Sequence, residues 1–346
     1  MLYKTKSYFC MVNIDEKYIK RCLEIAKKGL PASMPNPSVG AVIVYQDKII
    51  GEGYTSAYGG AHAEVNAIQT VKDKSLLEKA TIYVSLEPCS HYGKTPPCCN
   101  LIIEHKIPNI VIGTLDPNIK VAGNGIKKLI ESGKNVIVGI LEKECKELNK
   151  RFFTFHEKKR PYIVLKWAES QDGFIAPKNK SEQKPVWITN SFSRQLVHKW
   201  RSEEESILVG TQTVVDDNPK LNVRDWVGKN PTRIVLDQNN RISKESHIFD
   251  NQAETIILSS SEIDFSNTIA SKICAILYER NLQSVLIEGG TQTLQTFIDA
   301  NLWDEARVFK GNLFIENGTK APVLKSKWIE KQFILEDELL IFKNYD

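Results

Sequence analysis

Short runs of β-branched and aliphatic residues alternate with helix-like segments along most of this chain, and the alternation restricts its fold more than any other feature. In the first part, strands are predicted at residues 39–45, 48–54, 81–86 and 109–114, helices at residues 15–28, 62–72 and 97–106, and residues 126–131 and 136–140 continue the pattern. Gln46 and Asp47 separate the first two runs and predict a hairpin. Alternating strands and helices favour a partly parallel α/β sheet.

A polar segment without hydrophobic periodicity, Thr154–Arg160, interrupts the alternation just before Pro161. We therefore expect two domains, residues 1–152 and 153–346, and a chain of 346 residues has the length for two. A second α/β unit then follows, with strands predicted at residues 162–167, 206–209, 233–236, 255–258, 284–287, 305–309 and 333–342, and helices at residues 191–203, 267–280 and 291–300.

Composition excludes several classes of protein. With 46 Lys and Arg against 42 Asp and Glu, the net charge of +4 is far from the concentrated basic excess of a nucleic-acid-binding protein. The longest apolar stretch, Val39–Tyr45, is much shorter than the roughly 20 residues of a transmembrane helix, and Tyr8–Val12 is too short for a signal-peptide core. The odd number of cysteines, 7, argues against a disulfide framework. We expect a cytoplasmic protein that acts on a small molecule and binds neither nucleic acid nor membranes.

One set of residues in the first domain has the composition of a catalytic zinc site. His62 opens a predicted helix, and Cys89 and Cys98 follow a predicted strand. One imidazole and two thiolates suit tetrahedral zinc, and three protein ligands leave the fourth position for water. Glu64, two residues after His62, is placed to carry protons from water to a leaving amine. His-x-Glu followed by Pro-Cys and a second Cys is the signature of the zinc-dependent deaminases, so the pattern predicts hydrolytic deamination.

Three segments of the first domain resemble the deaminase half of the bifunctional riboflavin-biosynthesis deaminase/reductases. They are Asn36–Gly40 (NPSVG), His62–Val65 (HAEV) and Glu87–Cys98 (EPCSHYGKTPPC). Eight residues separate the two cysteines of the last segment, whereas other deaminases of the superfamily typically have two. The long spacer therefore indicates a different substrate pocket.

The resemblance implies a cytidine-deaminase-like three-layer α/β/α fold for this domain. It also implies that Cys98, rather than the adjacent Cys99, binds the metal, and that Asn36 and Lys94 contact the substrate. Thr55 stands where many members of the family have a histidine that contacts substrate. We expect a weaker hydrogen bond from the threonine hydroxyl.

In the second domain, the segment Ser284–Leu294 reads as a strand, two glycines and the start of a helix. Backbone N–H groups at such a helix start can hold phosphates, although the segment lacks the complete dinucleotide-binding fingerprint and also suits a tight connection. Further segments resemble, in the same order, the reductase half of the family: Lys166–Gly173, Trp187–Thr189, Gly210–Pro219, Leu221–Arg224 and Arg233–Asp237. The resemblance then covers nearly the whole chain after about residue 13.

This second resemblance implies a dihydrofolate-reductase-like α/β fold, NADPH as the hydride donor, and a homodimer or homotetramer. The cofactor contacts that it implies are Glu169, Trp187, Thr213, Asp217, Gly290, Thr291, Gln292, Thr293, Leu294, Gln295 and Thr296. The implied substrate contacts are Arg201, Leu221, Arg224 and Glu288. Two guanidinium groups also suit a phosphate, which they bind bidentately. Lys166, at the end of a predicted strand, is placed to orient or polarise the sugar.

The leading hypothesis is an enzyme with two activities. Zinc-dependent deamination of 2,5-diamino-6-ribosylamino-4(3H)-pyrimidinone 5′-phosphate would precede NADPH reduction of the ribosyl group, giving 5-amino-6-ribitylamino-uracil 5′-phosphate. An alternative is a deaminase of a free base, nucleoside or RNA with an inactive or binding-only C-terminal half. A third is a zinc-stabilised nucleotide- or RNA-binding module, which Glu64 opposes because a structural zinc site needs a fourth protein ligand and no acid/base group.

Overall fold

The computed structural model describes residues 14–92, 96–117, 122–180, 182–266 and 268–345, and the chain divides after Glu157 into two compact units. The division predicted between residues 152 and 153 falls inside helix α6, Lys150–Lys158. Much of the segment that shows no hydrophobic periodicity in the sequence is therefore helical. Phe153 and Phe155 of α6 are both buried, and the many charged residues around them obscure this helix in the sequence. None of the helices in the described part of the chain combines the length and apolar character needed to cross a bilayer.

The first unit is built on a five-stranded sheet of order β2-β1-β3-β4-β5. Its strands are β1 (Gly40–Tyr45), β2 (Lys48–Tyr54), β3 (Thr81–Val84), β4 (Asn109–Ile112) and β5 (Asn135–Val138), and its remaining helices are α1 (Ile14–Ala26), α2 (Ala63–Thr70), α3 (Cys98–Glu104), α4 (Asn124–Glu131) and α5 (Glu142–Leu148). Strand β1 is antiparallel to β2 and β3, whereas β3, β4 and β5 are parallel. The predicted hairpin and partly parallel sheet are confirmed. Gln46 and Asp47 have φ of 48° and 58°, as a two-residue hairpin turn requires.

Both faces of this sheet are covered by helices. Ile43, Ile82 and Ile110 on one face pack with α2, α3 and α4. Val42 and Tyr83 on the other face pack with α1 and α5. Since both faces are buried, the strands are continuously apolar rather than alternating, and the predicted three-layer α/β/α arrangement is confirmed.

The second unit contains an eight-stranded sheet of order β10-β9-β8-β11-β6-β12-β15-β14 and a small sheet of β7 and β13. Its strands are β6 (Tyr162–Glu169), β7 (Phe174–Pro177), β8 (Ser206–Gly210), β9 (Thr232–Leu236), β10 (Thr255–Leu258), β11 (Ser284–Ile287), β12 (Glu305–Lys310), β13 (Gly318–Lys320), β14 (Glu330–Ile334) and β15 (Asp337–Lys343), and its helices are α7 (Ser191–Glu203), α8 (Thr211–Asp217), α9 (Ile269–Glu279) and α10 (Thr291–Asp299). Six strands are parallel, and β15 and β14 complete the sheet in antiparallel pairing.

The prediction of one continuous strand at residues 333–342 is wrong, because the chain turns back between β14 and β15. The turn places Leu335 at a φ of 54°. Leucine rarely adopts this conformation, so the residue type gives no signal of a turn.

Parallel pairing gathers the functional segments at one edge of the second sheet. The strands β8, β11 and β6 are adjacent. Gly210 and Lys166 lie towards the carboxyl ends of β8 and β6, and Glu288 directly follows β11. Ligands of open α/β sheets bind at this edge. Gly289 lets the turn after β11 pack there, because a Cβ at this position would lie 2.7 Å from Val209 Cβ.

Candidate active sites

The first unit brings His62, Cys89 and Cys98 together although they come from separate elements. His62 immediately precedes α2, Cys98 is the first residue of α3, and Cys89 lies in the loop after β3. Their potential ligand atoms all lie within 4.8 Å of one another, with His62 Nδ1 3.6 Å from Cys89 Sγ and 3.4 Å from Cys98 Sγ. One imidazole and two thiols converging in a mostly buried site form a donor set that fits zinc.

The electrostatics of the cluster also fit a cation. Hydrogen bonds from the Cys98 thiol and from His62 lower the pKa of Cys89, while the pKa of Cys98 is raised because it gives its hydrogen to Cys89. The hydrogen bond to Cys89 raises the pKa of His62. A bound cation would displace the shared protons from these ligands.

Glu64 lies in the first turn of α2 with 4% of its surface exposed. Burial and then the neighbouring charge of Cys89 raise the pKa of this carboxyl group to about 7. The Cys98 thiol lies beside this carboxyl group and acts against the upward shift of its pKa. A carboxyl group with a pKa near neutrality, in contact with the ligand cluster, can both accept and donate a proton.

Two neighbours of the cluster have structural contacts of their own. The Cys99 thiol turns away from His62 and donates to the carbonyl oxygens of Pro88 and Gly125, at 3.2 and 3.6 Å. Glu87, which the sequence analysis missed, is buried and accepts hydrogen bonds from backbone N–H groups beyond β4. The donors are Asp116 (3.3 Å), Gly123 (3.0 Å), Gly125 (3.0 Å) and Ile126 (3.4 Å). Its position at a strand end, directly before Pro88-Cys89, was the available signal.

The predicted substrate contacts of this unit are placed only in part. Asn36 is partly exposed in the segment before β1, and Lys94 lies outside the described residues. The Thr55 hydroxyl is already engaged, since it accepts a hydrogen bond of 2.9 Å from the backbone N–H of Val39. Thr55 therefore ties the segment that contains Asn36 to the end of β2.

In the second unit, most of the predicted residues line one cavity of about 620 Å³. They are Lys166, Trp187, Arg201, Thr213, Asp217, Leu221, Arg224, Glu288, Gly290, Thr291, Gln292 and Leu294. A Cβ at Gly290 would meet only Thr213 Oγ1, at 3.6 Å, so a larger residue there would occupy the cavity. An open glycine at the start of α10, beside aromatic and aliphatic walls, fits a dinucleotide cofactor such as NADPH.

The other predicted cofactor residues lie off this lining. Glu169 accepts a hydrogen bond from Trp167 Nε1 at 2.9 Å, and the preceding residues of β6, Trp167 and Ala168, line the cavity instead. Thr293 packs against Gly210, where a Cβ would lie 2.7 Å from its hydroxyl. Gln295 donates to Asp299 at 2.7 Å, and Thr296 donates to the carbonyl of Gln292 at 2.8 Å.

A buried ion pair crosses the substrate end of the cavity. Arg201 binds Glu288 through two hydrogen bonds, Nε to Oε1 at 2.9 Å and Nη2 to Oε2 at 2.7 Å. Burial alone would raise the pKa of Glu288, but the charges of Arg201 and Lys166 outweigh it and bring this pKa to about 2. Burial lowers the pKa of the Lys166 ammonium group. The cavity therefore presents cationic groups to an anionic ligand and contains a carboxylate that remains ionised.

Several cavity residues were not predicted from the sequence. Lys180 forms an ion pair with Asp217, and the Arg194 guanidinium stacks over the Trp187 ring, 4.6 Å from its centroid. His198, three residues before Arg201 on α7, also lines the cavity. The spacing of three residues, which places two side chains on one helix face, was the signal for His198.

Fold and sites together define a class: a two-domain enzyme that joins a zinc-dependent deaminase to a dihydrofolate-reductase-like reductase. Residues 12–114 match the family model of the cytidine and deoxycytidylate deaminase zinc-binding region, and residues 161–324 match that of the RibD C-terminal domain. The riboflavin biosynthesis protein RibD of Aquifex aeolicus is 36% identical over 96% of this chain and 99% of its own. The chain belongs to the RibD family of bifunctional riboflavin-biosynthesis enzymes.

Other relatives and solved structures agree. RibD of Escherichia coli is 33% identical over 85% of this chain and 87% of its own. The crystal structure of a diaminohydroxyphosphoribosylaminopyrimidine deaminase/5-amino-6-(5-phosphoribosylamino)uracil reductase from Thermotoga maritima is 38% identical, with a TM-score of 0.85 over 95% of this chain and 98% of that one. These findings confirm the predicted family, fold class and enzymatic activities, and zinc and NADPH as cofactors; the alternative of a deaminase with an inactive second half is not favoured.

Proposed function

We propose that this chain catalyses both reactions named for the Thermotoga maritima protein. It would deaminate the diaminohydroxypyrimidine ribosyl phosphate and then reduce the resulting 5-amino-6-(5-phosphoribosylamino)uracil. The observation that carries the proposal is the convergence of Glu64 on the cluster of His62, Cys89 and Cys98, while a separate cationic cavity occupies the other unit.

In the deamination, the chain's own residues hold the metal and move a proton. His62, Cys89 and Cys98 would bind zinc, which supplies a water molecule of lowered pKa when bound. Glu64 takes a proton as the water oxygen adds to the amine-bearing ring carbon and delivers it to the departing nitrogen, so ammonia leaves. Asn36 and Lys94 are the proposed substrate contacts.

In the reduction, the cavity orients a phosphorylated sugar. NADPH supplies a hydride when bound, and its proposed contacts are Trp187, Thr213, Asp217, Gly290, Thr291, Gln292 and Leu294. Glu169, Thr293, Gln295 and Thr296 would contribute only through their backbone or by supporting this lining. Arg201 and Arg224 are proposed to bind the substrate phosphate, with Leu221 and Glu288 beside them and Lys166 polarising the sugar.

Two further predictions, the oligomeric state and the location in the cell, complete the proposal. The homodimer or homotetramer implied by the family resemblance and the cytoplasmic location expected from the sequence both stay predictions. Sedimentation of the purified protein tests the first, and fractionation of cells tests the second.

A paired assay on zinc-loaded protein tests the proposed function. Ammonia release and NADPH oxidation are followed on the diaminopyrimidine ribosyl phosphate, in wild type, Glu64→Gln, and Glu104→Gln as a matched control at the exposed end of α3. We expect Glu64→Gln to bind zinc but to lose ammonia release by about 10²- to 10⁴-fold, the usual contribution of a general acid/base. NADPH oxidation should follow deamination in wild type and return in Glu64→Gln when the deaminated intermediate is supplied.

Other outcomes would contradict parts of the proposal. Ammonia release without NADPH oxidation means that the second unit is not the reductase. Stoichiometric zinc with neither reaction favours a binding protein instead. Equal loss in Glu104→Gln would remove the assigned role of Glu64.

A further inference from the structure

His198 is a buried histidine of the reductase cavity that the proposed function leaves without a role. It lies on α7 with 4% of its side chain exposed and reaches the same cavity as Arg201. It contacts two consecutive residues, Arg224 and Asp225, of the loop after α8.

The two contacts fix the proton on one ring nitrogen. His198 Nδ1 accepts a hydrogen bond of 3.4 Å from the backbone N–H of Arg224, so the proton of the neutral ring is on Nε2. Nε2 lies 3.2 Å from Asp225 Oδ2, to which it donates. Burial and then the charges of Arg201 and Arg224 lower the pKa of His198 to about 4, and the neutral ring therefore keeps its acceptor at neutral pH.

The loop that His198 holds has a strained backbone. Leu221 is buried in the cavity wall with a φ of 51°, a conformation that a leucine keeps only when its surroundings impose it. Arg201 Nη1 donates to the carbonyl of Asn222 at 3.2 Å, so α7 anchors the loop at a second point. Arg224 Nη1 donates to Asn222 Oδ1 at 3.3 Å, which directs the guanidinium along the cavity wall.

We propose that His198 is a positioning residue of the reductase, which, oriented by Asp225, fixes the backbone of Arg224 and so aims its guanidinium at the substrate phosphate. The proposal rests on the proposed function, because it assumes that Arg224 binds this phosphate. His198 itself touches no reacting atom. Substitution of His198 should therefore change KM for the phosphorylated substrate rather than kcat.

Three substitutions separate the two contacts of the imidazole. His198→Asn keeps an acceptor near the position of Nδ1, His198→Gln keeps a donor near the position of Nε2, and His198→Leu keeps neither. Gln195→Leu, on the exposed face of α7, is the matched control. The measurements are KM and kcat for 5-amino-6-(5-phosphoribosylamino)uracil, KM for NADPH, and the inhibition constant of inorganic phosphate.

We expect His198→Leu to raise KM for the phosphorylated substrate and the phosphate inhibition constant by about 3- to 10-fold, the effect of one lost hydrogen bond. NADPH KM, kcat and ammonia release should change less than twofold. His198→Asn should recover most of the loss and His198→Gln should not. Asp225→Asn, which keeps an acceptor oxygen, should have a smaller effect than His198→Leu.

A greater recovery of substrate KM in His198→Gln than in His198→Asn would overturn the proposal. If His198 merely fills space, the larger glutamine should restore activity better than asparagine. In that case kcat should fall and NADPH KM should rise together with substrate KM. Unchanged KM in all variants also rejects it. Should His198→Leu not fold, the Asn and Gln variants decide alone. Absence of NADPH oxidation in wild type would instead contradict the proposed function, a result distinct from every outcome above.

Discussion

The candidate sites of the two units differ in how widely their residues are distributed over the fold. In the first, three ligands and one acid are concentrated within a few ångströms, at the starts of α2 and α3 and in the loop after β3. In the second, the candidate residues are distributed over a cavity of about 620 Å³ and come from strands, helices and loops far apart in sequence. A concentrated site depends on each member, whereas a distributed one spreads binding energy over many contacts. Single substitutions should therefore abolish the deaminase but weaken the reductase by degrees.

The largest effect is expected for the metal ligands. Cys98→Ser should lower zinc affinity by more than about 100-fold, since even residues that only support ligands contribute 10- to 100-fold, and ammonia release should disappear. Cys99→Ser is the matched control, because this thiol bonds to backbone carbonyls instead. Zinc content and ammonia release check both variants. Equal loss of zinc in the two variants would contradict the assignment of Cys98, rather than Cys99, as the metal ligand.

NADPH oxidation with the deaminated intermediate should survive in Cys98→Ser. Treatment of wild type with a chelator should likewise remove only ammonia release, so the deaminase and reductase sites can be compared in one protein. If chelation also stops the reductase, the two sites are not chemically independent.

An intermediate effect is expected at Arg224. Arg224→Ala should raise KM for the phosphorylated substrate by about 10- to 100-fold, the worth of a charge-assisted hydrogen bond, with little change in kcat. The KM of Arg224→Lys should lie between those of wild type and Arg224→Ala, because an ammonium group keeps the charge but cannot bind the phosphate bidentately as a guanidinium group does. Steady-state kinetics on both variants measure this. A complete loss of turnover in Arg224→Ala would mean that the second site is as concentrated as the first.

The smallest effect concerns acid stability of the second unit. The ordinary pKa of histidine is about 6.5, and His198 has its pKa lowered to about 4 among Arg201, Arg224, Asp225 and Glu288. Between these values the unfolded chain binds the proton first, so stability present above pH 6.5 is lost as the pH falls towards 4. The melting temperature should therefore fall by a few degrees more in wild type than in His198→Asn between pH 7 and pH 5.

Tryptophan fluorescence can follow this transition, because all six tryptophans lie in the second unit. A similar pH dependence in wild type and His198→Asn would show that other groups control acid stability.

The sequence predicted the first site well because its chemistry is local. His62 and Glu64 share one helix start, and Cys98 follows Cys89 by only nine residues. This pattern indicates the cluster, and the family resemblance selects Cys98 over Cys99. Glu87 was missed because its partners lie 29 to 39 residues further along the chain, and backbone donors carry no residue signature.

In the second unit, the residues predicted near strand ends, Lys166 and Glu288, line the cavity, whereas Glu169 does not. Glu169 was predicted from its motif position, but its carboxylate accepts a hydrogen bond from Trp167 Nε1 and does not line the cavity. His198 was missed because its role depends on a loop that meets α7 only in three dimensions. Helix α6 was missed because its charged residues hide the two phenylalanines that it buries.

The bonds of Glu87 also bear on the order in which the first unit assembles. Its carboxylate accepts hydrogen bonds from the backbone N–H groups of Asp116, Gly123, Gly125 and Ile126. These groups gain their shared partner only after the end of β3 has reached its place beside β4. Contacts of such sequence separation bear a loop-closure cost that local structure does not. The start of α4, which contains Gly125 and Ile126, should therefore acquire its final contacts late in folding.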